Sequence, residues 1–96
     1  MFRIFETETF LNSLDQDFEG QKDKIKAKLR NQVYLQLRES PSFGPNIKKL
    51  RNWNPPTWRY RIGNYRFFYE IDTENKIVSM LLAERRGRAY KKSDPE

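Results

Sequence analysis

The stretch Trp58-Arg59-Tyr60-Arg61-Ile62-Gly63-Asn64-Tyr65-Arg66-Phe67-Phe68-Tyr69-Glu70-Ile71 decides the fold. Gly63-Asn64 reads as a two-residue hairpin loop between two alternating runs. With that loop, Ile62 pairs with Tyr65, Arg61 with Arg66, Tyr60 with Phe67, Arg59 with Phe68 and Trp58 with Tyr69. Side chains alternate across a strand, so Trp58, Tyr60, Ile62, Tyr65, Phe67, Tyr69 and Ile71 share one face. Arg59, Arg61, Arg66, Phe68 and Glu70 share the other. A slip of one residue would turn the arginines into the core, so the register is well specified. Arg61 opposite Arg66 is a like-charge pair that costs stability, and an anionic ligand would relieve it. An ordinary solvated face, with arginine stems covering Phe68 and Glu70 as counter-charge, fits the same pattern.

Working outward, Lys76 to Ala83 reads as a third strand, reached through a turn at Asp72-Thr73-Glu74-Asn75. Before the hairpin, residues 40–57 form a long connection with Pro41, Gly44, Pro45, Pro55 and Pro56. Phe43, Leu50 and Trp53 are its expected packing anchors. From about Asp17 to Glu39 the apolar positions Phe18, Ile25, Leu29, Val33 and Leu37 are spaced by seven and then by four. That spacing predicts an amphipathic helix. A shorter helix carries Phe10, Leu11 and Leu14, with Thr7 or Thr9 as its cap. Phe2 to Thr7 alternates as a first strand. The order is β-α-α-β-β-β: an α+β fold whose small, mostly antiparallel sheet carries a helical hairpin on one face.

The chain of 96 residues suits one domain spanning 1–96, with residues 84–96 as a basic tail. It has no Cys and no His, which excludes disulfides, thiolate metal sites and histidine acid–base chemistry. No cofactor and no metal are expected. No apolar run is long enough to span a bilayer and the N-terminal residues lack a signal-peptide core, so the expected location is the cytoplasm, with no membrane partner. Net charge is +6, and all of it lies in residues 48–96, where twelve basic side chains face six acidic ones. Residues 1–47 balance at seven and seven. A basic half suggests a polyanion surface. Its candidates are the sheet arginines, Lys48, Lys49 and Arg51 in the connection, and Arg85-Arg86-Gly87-Arg88 with Tyr90 in the tail. Arginine's planar fork suits phosphate and a tyrosine ring suits a base. Gly-rich phosphate loops and acyl-transfer triads have no match.

Lys49-Leu50, the Trp58–Ile71 hairpin, then Ala83-Glu84-Arg85-Arg86 and Tyr90 resemble the RelE/ParE toxin superfamily over nearly the whole chain. The resemblance implies a toxin of a type II toxin–antitoxin module. In its RelE-like branch such toxins are mRNA endonucleases acting in the ribosomal A site. In the ParE-like branch they inhibit DNA gyrase, and a catalytically silent member that only binds its antitoxin is the third possibility. The RelE-like reading implies Arg59 and Arg61 at the scissile phosphate and near the 2′-hydroxyl. It implies Arg66 on the phosphate charge, Arg85 (with Arg86 as the alternative) after the last strand, and Tyr90 stacking on a base or assisting proton transfer. Lys48, Lys49, Arg51, Arg86 and Arg88 would bind RNA, and Glu70 or Glu84 is an auxiliary base. Implied partners are a cognate antitoxin in a hetero-oligomer, the ribosome and mRNA. Arg59 and Arg61 stand where lysine is familiar, and since arginine stays protonated their role would be electrostatic.

Overall fold

The computed structural model describes residues 1–17 and 20–85. Phe18 and the tail candidates Arg86, Arg88 and Tyr90 lie outside the described residues. The chain runs β1 (Arg3–Glu6), α1 (Glu8–Asp17), α2, β2 (Ile47–Lys49), β3 (Trp58–Ile62), β4 (Tyr65–Asp72) and β5 (Ile77–Arg85). Here α2 joins three helical stretches, Lys22–Lys28, a π turn at Leu29–Val33, and Tyr34–Glu39. The strands form one sheet in the order β1-β5-β4-β3-β2, with β1 parallel to β5 and the other neighbours antiparallel. This is the α+β fold expected, with one addition. The connection before the hairpin contains β2, an edge strand pairing Ile47 with Tyr60, Lys48 with Arg59 and Lys49 with Trp58. Lysines on an edge strand discourage pairing with another chain.

All five hairpin pairs occur as the alternation dictates. Gly63 has φ 57° at the first loop position, the conformation a II′ hairpin requires there and one glycine adopts without strain. Thr7 caps α1, its Oγ1 accepting from the Phe10 N–H at 3.1 Å and donating to the Met80 carbonyl at 2.7 Å. In α2, Ile25, Leu29, Val33 and Leu37 are all buried, together with Tyr34. A four-residue spacing overshoots the 3.6 residues of an α-turn and would walk the stripe around the helix. One wider turn takes up that excess and keeps the stripe facing the sheet.

Those side chains meet Phe10 and Leu14 of α1 and Tyr60, Phe67, Tyr69, Val78 and Met80 of the sheet in one core. Trp58, Ile62, Tyr65 and Ile71 pack around its margin. Leu11 is exposed instead, and of the three expected anchors of the connection only Leu50 is buried. Phe43 is 80% exposed, so it anchors nothing.

Buried tyrosines give the fold a pH dependence. Tyr34 donates to Glu6 Oε2 at 2.6 Å and Tyr69 to the Pro41 carbonyl at 2.6 Å. Burial is the main force holding both phenols far above their ordinary value, and the Glu6 carboxylate adds to it at Tyr34. The folded chain therefore retains protons that the unfolded chain releases, so stability falls as pH rises past about 10. Alkaline unfolding followed by circular dichroism should start in that range. Tyr34→Phe and Tyr69→Phe should each flatten the decline, and an unchanged profile in both variants would contradict this assignment.

Candidate functional site

The sheet face away from the helices carries the basic side chains. Register sets them in two rows: Lys48 beside Arg59 beside Phe68 beside Leu82, and Arg61 beside Arg66 beside Glu84. Arg59 and Arg61 are half-buried on β3. The Arg61 N–H donates to the Asn46 carbonyl at 2.9 Å, which carries the β2–β3 pairing one residue beyond β2.

Arg66 differs from the other two. It is 3% exposed, and its Nη2 donates to Glu84 Oε1 at 2.8 Å. Its guanidinium lies 5.6 Å from the Phe68 ring, within cation–π range. The repulsion expected between Arg61 and Arg66 is therefore offset from the other side by a carboxylate in the same row.

A β-bulge puts that carboxylate there. Phe68 pairs with Leu82 and Tyr69 with Met80, which leaves Leu81 as the extra residue of β5. Beyond the bulge the alternation is inverted: Ala83 turns into the core, Glu84 to the arginine face, and Arg85 pairs with Tyr65 on the helix-side face. Without the extra residue Arg85 would stand with the arginines and Glu84 would not. The Ala83 N–H donates to Ser13 Oγ of α1 at 2.9 Å, so the strand beyond β1 has a buried partner.

Of the sequence candidates, Lys48, Arg59, Arg61 and Arg66 come together on one face, with Glu70 on the same face of β4. Lys49 does not join them: it pairs with Trp58 on the other face, its Nζ 5.8 Å from that ring. Arg51 is exposed in the loop after β2. Trp53, expected only as a packing anchor of the connection, is brought to this face, where it stacks on Phe68 with ring centroids 6.1 Å apart and planes 13° from parallel.

The sequence matches the family of ParE toxins of type II toxin–antitoxin systems over residues 7–90. The chain belongs to the ParE toxin family. Within the wider RelE/ParE superfamily, its fold is similar to solved RelE structures. The toxin–antitoxin complex RelBE2 from Mycobacterium tuberculosis matches with a TM-score of 0.68 at 24% identity, over 88% of this chain and 98% of that one. The isolated RelE toxin of E. coli matches with a TM-score of 0.62 at 21% identity, over 97% and 95%. The archaeal RelE–RelB complex from Pyrococcus horikoshii OT3 gives 0.60 at 20% identity, over 91% and 97%. At these identities the likeness is one of fold. None of the curated proteins matches this ParE-family chain significantly. Among its described residues no helix is long and apolar enough to cross a membrane.

Proposed function

We propose that this ParE-family toxin is an RNA endonuclease that cleaves mRNA on the ribosome, in the cytoplasm, and is held inactive by a cognate antitoxin in a hetero-oligomer. The observation that carries the reading is the convergence of Lys48, Arg59 and Arg61 from adjacent strands on one face, beside the Arg66–Glu84 pair. In the proposed reaction the 2′-oxygen attacks the adjacent phosphorus. The bond to the 5′-oxygen breaks, leaving a 2′,3′-cyclic phosphate and a free 5′-hydroxyl. Arg59 and Arg61 hold the phosphate and stabilise the charge that builds on it. The buried Arg66 positions Glu84, the carboxylate available to take the 2′-proton, and Tyr90 stacks on a base or protonates the leaving oxygen. Arg86 and Arg88 extend the RNA contact from the tail, whereas Arg85, paired with Tyr65 on the helix-side face, stands apart from it. With no histidine, the protein contributes mostly positioning and electrostatics, which suits a substrate shaped by the ribosome.

Primer extension on a translated mRNA tests this directly. We expect cuts with ribosomes present and intact RNA without them, and efficient cutting of naked RNA would remove the ribosome from the scheme. A second reading, inhibition of DNA gyrase, is favoured by the ParE family match itself. Intact transcripts together with blocked DNA supercoiling would select it. An antitoxin docking on this face should associate more slowly as salt rises, because the basic face steers it electrostatically.

A further inference from the structure

We propose that Trp53 is a stacking platform for one unpaired nucleobase of the RNA, which Lys48 and Arg59 flank by holding neighbouring phosphates. The inference rests on the RNA-cleaving reading above and assigns that site a base-binding residue.

Trp53 is 49% exposed, an unusual amount of free indole surface for a residue seated on the sheet. The loop carrying it is tied at both ends. The Leu50 N–H donates to the Thr57 carbonyl at 2.9 Å, and Thr57 Oγ1 donates to the Pro55 carbonyl at 3.0 Å. Leu50 and Thr57 are both buried, which anchors the base of the loop. Asn52 turns the chain with φ 60°, a left-handed conformation that asparagine tolerates better than most residues. The loop thus lays the indole across Phe68, whose register neighbour is Arg59, next to Lys48. A rigid ring with free surface beside two adjacent cations is the arrangement that holds single-stranded nucleic acid: stacking takes any base, and the cations follow the backbone. A ring serving only to cover Phe68 would contribute stability without sensing a base.

The test is binding of a fluorescein-labelled single-stranded RNA oligonucleotide at low salt, read by anisotropy, for wild type, Trp53→Phe, Trp53→Ala and Arg59→Ala. Trp53→Ala should weaken binding about tenfold, with Trp53→Phe recovering most of the loss. One abasic nucleotide, scanned along the probe, should find a position at which wild type and Trp53→Ala bind equally. In a Trp58→Phe background, where Trp53 is the only tryptophan, RNA should quench the indole fluorescence. If Arg59→Ala weakens binding while Trp53→Ala does not, the platform is wrong and the RNA reading stands. A loss in Trp53→Ala that no abasic position cancels would reduce Trp53 to a packing role and overturn the proposal. A wild-type protein that binds no free RNA would overturn the platform, whereas the ribosome-dependent reading falls only if primer extension shows no cuts with ribosomes present.

Discussion

Arg61→Ala is expected to slow mRNA cleavage by about 10²- to 10³-fold, the loss typical of removing one donor from a charge-stabilising site. The same change should alter the unfolding free energy by less than about 0.5 kcal/mol. Arg61 is half-buried, and the bond it makes to Asn46 comes from its backbone N–H, which alanine keeps. Its loss also removes one of two facing like charges. Single-turnover cleavage on programmed ribosomes, paired with urea denaturation, separates the two effects. A variant that cleaves at the wild-type rate would take Arg61 out of the reaction.

Arg66→Ala should instead cost the fold about 2–3 kcal/mol, and it should slow cleavage too, because Glu84 loses the group that positions it. Removing one member of a buried pair strands its partner, at about 3–5 kcal/mol when both are fully enclosed. Glu84 keeps 24% of its side-chain surface exposed, so water recovers part of that cost. Replacing both partners, as Arg66→Leu with Glu84→Leu, should restore most of the stability, because no charge is then left stranded. Urea titrations of Arg66→Leu, Glu84→Leu and the double variant close that cycle, and additive losses would show that the pair is not coupled. Phe67→Ala, which empties the centre of the core, sets the scale at about 3–5 kcal/mol.

The hairpin was legible to the residue because its alternation is strict and its turn is chemically distinct. Every pair from Ile62–Tyr65 to Trp58–Tyr69 follows from those two facts. The helical stripe was legible for the same reason, since Ile25, Leu29, Val33 and Leu37 repeat among charged residues. What escaped notice lacked a period. Ile47–Lys49 is too short to show alternation, and it becomes a strand only because β3 offers it an edge. Ile77, Val78, Met80, Leu81, Leu82 and Ala83 are apolar at nearly every position, so nothing in the string marks Leu81 as surplus. The pattern therefore made Arg66 the equal of Arg61, and with the strand read only to Ala83, Arg85 entered the site through the resemblance rather than through its register. Trp53 read as a packing anchor, which is half of what it does: one ring face packs, and much of the indole stays open.

The pairing of β1 with β5 has a consequence for how the toxin comes into being. Arg3 aligns with Ile77 and Glu6 with Met80, so the first strand finds its partner more than seventy residues later. α1 waits equally long, since Thr7 and Ser13 bind Met80 and Ala83. Contacts so distant in sequence are slow to form, and synthesis proceeds at about 5–20 residues per second. During translation the hairpin and α2 can assemble locally, but α1 lacks its main strand neighbour until β5 emerges. Glu84 lies at the end of that same strand, so the basic face acquires its counter-charge only once β5 has been made. A nascent or truncated chain ending before β5 would have neither a closed core nor a complete site, and the cell would not meet an active toxin until nearly the whole chain has been made.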